Sequence, residues 1–128
     1  MEDLQIRGTN CSPTFNFNYG KGELEINGRS YPENAIEIYE PALKWLEAYL
    51  KTPQKSTAVN FSLEYFNTSS SKIILEILKQ LKTLHVGSNI VIIKWHYEEV
   101  DTKLREEGEI FSELVKFSIE FVVLNESF

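Results

Sequence analysis

Cysteine, methionine and histidine are nearly missing from this chain: 128 residues contain one Cys, one Met and two His. With Cys11 alone no internal disulfide can form, so stability has to come from a packed core, and a reducing compartment suits the chain. His85 and His96 stand eleven residues apart with no cysteine beside them. That is not the spacing of a zinc site, and no metal is expected. Positive charge is also short, with 13 Lys and Arg against 19 Asp and Glu and a net charge of −6. Such a balance disfavours nucleic acid, where affinity comes mainly from neutralising phosphates, and anionic membrane surfaces. Long apolar runs are absent: the stretch Ile90 to Ile93 is strand-sized, whereas a spanning helix needs about 20 apolar residues. The opening "MEDLQIRGTN" has no apolar core of a leader peptide, so no secretory signal or membrane insertion is expected and the default is a cytoplasmic protein. No P-loop, GxSxG or HExxH pattern occurs, so neither a catalytic residue nor a cofactor is expected.

Hydrophobic content of 42% and charged content of 25% are those of an ordinary globular protein, and the length suits one domain over 1–128. The apolar pattern then divides the chain. "TFNFN" (14–18) and "ELEIN" (23–27) alternate and are joined by the hairpin-like "YGKG" (19–22); a further short strand fits around Leu4 to Arg7. "NGRSYPEN" (27–34) reads as a loop leading to a helix over about 33–51, with Ile36, Ala42, Leu43, Leu46 and Leu50 as its apolar positions. Pro41 lacks a backbone donor, which predicts a short helical segment before it and the main helix from it. Trp45 and Tyr49, slightly off that stripe, read as core packing.

"TAVNFSLEYF" (57–66) is the clearest strand, with Val59, Phe61, Leu63 and Tyr65 on one side. A helix over about 69–86 follows, striped by Ile73, Ile74, Ile77, Leu78, Leu81 and Leu84 and closed by Gly87 as its cap. His85 would then sit where the helix dipole favours a cation. "NIVIIKWHYEE" (89–99) is a strand with Val91, Ile93, Trp95 and Tyr97 inward; a short acidic helix (101–114) and a strand (116–124) complete the chain. Glu98, Glu99, Asp101, Glu106, Glu107 and Glu109 read as a solvated acidic rim. The order β-β-β-α-β-α-β-α-β implies parallel crossovers and an α/β fold with a mixed sheet. Strands covered on both faces read as continuous apolar runs. These alternate instead, so two layers are expected, with the helices mainly on one face and Asn60, Ser62, Glu64, Lys94 and Glu120 on the open one.

Between the central strand and the best-patterned helix stand four hydroxyl residues in a row, Thr68 to Ser71, followed by Lys72, in "YFNTSSSK" (65–72). One reading is a plain helix cap supplied by Asn67, Thr68 or Ser69. The other is a phosphorylation switch, because the first turn of a helix favours an anion. "YFNTSSSK" and "GRSYPENA" (28–35), extended by "KGELEINGRSYPENA" and "WHYEE" (95–99), resemble the SiaC family of bacterial phosphoprotein regulators. The resemblance implies a fold like that of the STAS, or anti-sigma-factor-antagonist, domains. It implies a threonine, here Thr68, modified by a partner kinase and restored by a PP2C-type phosphatase. It also implies an unmodified form that binds and activates a diguanylate cyclase, in cyclic di-GMP and biofilm regulation. By position beside Thr68, partner contacts are expected at Asn67, Ser69, Ser70, Ser71 and Lys72, with Ser69 and Ser71 as alternative acceptors. Arg29 and Tyr31 in "GRSYPE" join them if that loop lies near the corner, as residue types favoured at interfaces. The competing reading is a small enzyme or ligand-binding domain that uses the polar sheet face around His96 and Glu98.

Overall fold

The computed structural model describes residues 1–124. Six strands form one sheet in the order β1-β2-β3-β4-β5-β6: Leu4–Ile6, Thr14–Asn18, Glu23–Ser30, Ser56–Phe66, Ile90–Tyr97 and Glu120–Val123. The first three strands pair antiparallel, and β3-β4, β4-β5 and β5-β6 pair parallel. The parallel links are crossovers through helices α1 (Ala35–Lys51), α2 (Thr68–Lys82) and α3 (Thr102–Val115). All three crossovers step the same way along the sheet. Because such connections are right-handed, their helices land on the same face, which gives the two-layer mixed α/β arrangement.

The strand alternation works as expected. Val59, Phe61, Leu63, Val91, Ile93, Trp95, Tyr97 and Ile119 are buried beneath the helices, while Asn60, Ser62, Glu64, Lys94 and Glu120 on the other face are half-buried or exposed. Tyr65 departs from the pattern. Gly28 pairs with Leu63 but Arg29 pairs with Tyr65, so β4 carries one extra residue, Glu64, at a bulge. A bulge shifts the side-chain alternation by one. Tyr65 is therefore turned out, at 52% exposed, and Phe66 turned in, at 7%. The same pairing keeps β3 extended through Arg29 and Ser30, which the sequence suggested were loop.

Two of the helices differ from their expected course. α1 runs unbroken through Pro41. Pro41 and Glu37, whose carbonyl loses the proline's missing donor, both face solvent, where water can serve instead. Its buried stripe is Ala35, Tyr39, Ala42, Trp45, Leu46 and Tyr49, and Ile36 stands 72% exposed. Trp45 stacks on Tyr49 at 5.0 Å, and its indole N–H donates to the carbonyl of Glu2 at 2.8 Å, so the core role of this pair holds. α2 is capped at Thr83, earlier than expected, and Gly87 lies in the turn beyond with φ +60°. His85 is consequently outside the helix, edge-on to Phe117 at 5.3 Å. Ile74, Ile77, Leu78 and Leu81 anchor α2 on the sheet. Burying such side chains stabilises by about 1.5–3 kcal/mol each, so α2 is held along its length whatever its first turn carries.

Candidate functional site

The strand-to-helix corner is built by Asn67. Its backbone is extended, its Oδ1 accepts from the amide of Ser70 at 2.9 Å, and its carbonyl accepts from the amide of Ser71 at 2.9 Å. Asn67 is thus the cap, and Thr68 and Ser69 are the first helical residues. A second set of bonds ties the corner to the end of β3. The Asn67 amide donates to the Ser30 carbonyl at 2.9 Å, and its Nδ2 donates to the Pro32 carbonyl at 3.4 Å. The "GRSYPE" segment therefore does lie beside the hydroxyl run, as the reading of Arg29 and Tyr31 required.

Helical geometry sends the four hydroxyl residues in different directions, since successive residues turn by about a hundred degrees. Ser70 points inward and is fully buried. Its Oγ lies 2.7 Å from Ser30 Oγ, which lies 2.7 Å from the Tyr39 hydroxyl. This chain of three hydroxyls joins β3, α1 and α2. Burial pushes the Tyr39 phenol up to about 12, against a smaller lowering by its serine partners. Ser70 was expected at the partner-facing surface; it has no surface, and its role is to seat the helix. Ser71 donates its hydroxyl to the Thr68 carbonyl at 2.8 Å and is half-buried. Thr68 and Ser69 are exposed.

These two open onto different hollows. Ser69 and Lys72 line a groove of about 380 Å³ between α1 and α2, with Ile36, Leu43 and Ile73. Thr68 and Ser71 line a shallower hollow of about 200 Å³ on the other side of α2, shared with Tyr65, Asn67, Lys103 and Glu107. Glu107 is thus partly drawn in rather than part of a fully solvated rim, and burial raises its carboxyl pKa. Lys103 and Glu107 lie thirty-five and more residues beyond Thr68. Sequence reasoning missed them as neighbours of Thr68; the signal available was a lysine in the first turn of α3, where the dipole disfavours a cation.

On the open side of the corner the bulge has a further effect. Tyr65, turned outward, meets Tyr31 edge-on at 5.9 Å, and both rings are exposed. Arg29 Nε donates to Glu64 at 2.9 Å, a contact that raises the guanidinium pKa. The pair is exposed on both sides, so water screens it and it adds little to stability.

The polar sheet face offers much less to a small molecule. His96 Nε2 lies 2.8 Å from Asn60 Oδ1, and burial lowers the imidazole pKa. The hollow lined by His96, Glu98 and Ser62 measures only about 40 Å³, where ligand pockets run to roughly 300–1,000 Å³. Among the described residues no helix is long and apolar enough to cross a membrane.

Comparisons with known proteins agree with the motifs. An uncharacterized protein of Pseudomonas aeruginosa (strain UCBPP-PA14) is 35% identical over 117 residues, covering 91% of this chain and 93% of that one. The crystal structure of apo-SiaC from Pseudomonas aeruginosa is 34% identical, with a TM-score of 0.84 over 98% of this chain and 100% of that one. The structure of the diguanylate cyclase SiaD in complex with its activator SiaC, from the same organism, contains a chain that is also 34% identical, with a TM-score of 0.84 over 94% of this chain and 98% of that one. The sequence pattern of SiaC family regulatory phosphoproteins matches residues 6–124, and the chain belongs to that family.

Proposed function

We propose that this protein is a non-catalytic cytoplasmic adaptor switched by reversible phosphorylation of Thr68, and that its unmodified form binds and activates a diguanylate cyclase. The observation that carries the reading is the sorting of the hydroxyls. Of the four, Ser70 is buried and Ser71 is spent on a backbone carbonyl, whereas Thr68 is exposed at the first position of a helix whose core anchors lie further along. A kinase moves the γ-phosphoryl group of a nucleoside triphosphate to Thr68 Oγ1, displacing the hydroxyl proton and releasing the diphosphate. A PP2C-type phosphatase reverses the change with water and releases inorganic phosphate. Ser69 is the other exposed hydroxyl of the run, and the family motif favours Thr68 over it.

The switch acts by direct blocking. Phosphate brings about two negative charges to a neutral patch, while the helix stays seated through Ile74, Ile77 and Leu81. A partner that docks on Asn67, Thr68, Ser69, Ser71 and Lys72, flanked by Arg29 and Tyr31, then has to bury a dianion for which its own surface offers no counter-charge. That costs several kcal/mol, enough for a hundredfold or greater loss of affinity. The SiaC–SiaD complex supports the choice of a cyclase as the activated partner. The hollow beside His96 and Glu98 that the enzyme or ligand-binding alternative would use measures about 40 Å³.

The test pairs two variants. Thr68→Ala should fold as the parent does and remain unlabelled by the cognate kinase; full labelling would move the acceptor to another residue. Thr68→Asp should lose at least a hundredfold in cyclase binding, with circular dichroism and melting temperature near those of the parent. Unchanged binding, or loss that comes only with unfolding, would refute the docking mechanism.

A further inference from the structure

The lysine that follows the hydroxyl run in sequence, Lys72, is turned to the α1–α2 groove with Ser69 and does not line the hollow on which Thr68 opens. The basic residue that does line it is Lys103, on α3. Lys103 is exposed, and the ion pairs among the described residues are Arg29–Glu64, Lys44–Glu40 and Arg105–Glu109, so its ammonium makes no close ion pair there, although it is near enough to Glu107 to favour that carboxylate. Its position opposes the local electrostatics, because a cation in the first turn of α3 faces the positive end of that helix. In a chain with 19 acidic residues, the first turns of both α2 and α3 carry none. The other charged group lining the hollow is Glu107, one turn on from Lys103 on the same helix, and Asp101 is held by its capping bond to the Leu104 amide at 3.0 Å.

We infer that Lys103 is the main phosphate-holding residue of the modified protein: it pairs with the phosphoryl group on Thr68 and ties the start of α2 to the start of α3. This rests on the reading of Thr68 as the phosphorylated residue. The phosphoryl oxygens, on a side chain that already borders the same hollow, supply an anion for Lys103, since the Asp101 carboxylate at the start of α3 is taken up by its capping bond. The ammonium favours the dianion over the monoanion. The pairing also gives α3, otherwise distant in sequence from the switch, a surface that differs between the two states.

The experiment installs phosphothreonine at position 68 during translation, so that it needs no kinase, and follows its second ionisation by phosphorus NMR. A free phosphomonoester has its second pKa near 6. Lys103→Gln should raise the value measured in the parent by about half a unit to one unit, the size expected of a single charge a few ångströms away in a solvated site. Lys103→Arg should keep the parent value, and Lys72→Gln, one turn from Thr68 but lining the other groove, should move it by less than Lys103→Gln does. Both lysines are exposed, and a retained amide spectrum verifies the fold. A shift with Lys72→Gln equal to or larger than that with Lys103→Gln, or none with Lys103→Gln, overturns the inference. Failure of the kinase to label Thr68 would instead refute the underlying reading and leave this titration unaffected.

Discussion

Ser30 should matter more to stability than either of the hydroxyl groups it joins. Its Oγ sits between the Tyr39 hydroxyl and Ser70 Oγ at 2.7 Å on each side, and Ser30 and Ser70 are completely buried. Ser70→Ala removes an end of the chain. Ser30 keeps its bond to Tyr39, so the cost should be about 1 kcal/mol, the net worth of one hydrogen bond. Ser30→Ala removes the middle and leaves two buried hydroxyls without that partner. Each stranded group costs about 1–3 kcal/mol, so the loss should be roughly 2–6 kcal/mol. The double variant Ser30→Ala/Ser70→Ala should cost less than the sum, because the second change deletes a group that the first has already stranded. Urea denaturation measures these differences, and about 3–5 °C in melting temperature should accompany each kcal/mol in a chain of this size. A Ser30→Ala loss no greater than that of Ser70→Ala, or strict additivity, would refute the linked-chain argument.

The same chain sets a pH dependence at the alkaline end. The Tyr39 phenol is pushed up to about 12 from an ordinary 10 by burial. Between those values the unfolded state has lost the proton and the folded state retains it. The unfolded state therefore binds fewer protons, and stability falls as pH rises through that window, by roughly 2–3 kcal/mol at its upper end. Tyr39→Phe should abolish this component, so the difference in stability between parent and variant should shrink from pH 10 to 12. A difference that stays constant would show that Tyr39 ionises freely in the folded state.

Two further outcomes follow from packing and capping. A methyl at Gly108 would meet Trp95 and Phe121 atoms at 2.8 Å, so Gly108→Ala should destabilise by about 1–3 kcal/mol despite the better helix propensity of alanine, as thermal melting would show; a gain would mean that α3 can move away from the sheet freely. Asn67→Ala should cost about 1 kcal/mol through the lost cap on the Ser70 amide and should increase hydrogen exchange in the first turn of α2 relative to its remainder; protection that stays unchanged would assign the cap elsewhere.

The candidate site was legible up to a point that has a clear physical limit. The residues 65–72 contain their own evidence for a capped, anion-tolerant corner, because a cap is a bond between near neighbours and the motif lies within one short segment. Which hydroxyl is exposed depends on what each direction meets. Ser70 meets Ser30 and, through it, Tyr39, and Thr68 shares a hollow with Lys103, all brought there by other elements. The outward turn of Tyr65 is similar. Alternation alone assigned it to the core with Leu63, and the extra residue at Glu64 reversed it. That bulge arises from pairing with β3, a strand more than thirty residues away in sequence.

For the fold, local patterning by itself determined the order of the elements, the one-sided strands and the anchoring stripe of α2, since periods of two and of about three and a half report which side of a segment avoids water. It did not determine which side of α1 would face the sheet. Ile36 looked like core but stands in solvent, while Tyr39, Trp45 and Tyr49 are buried with their polar atoms bonded to Ser30, Glu2 and Thr57. A large polar aromatic residue can be buried only where a partner for its N–H or O–H is within reach, and those partners come from distant parts of the chain. Tertiary structure alone supplied them, and for the same reason it alone decided that a lysine from α3 lines the hollow on which Thr68 opens.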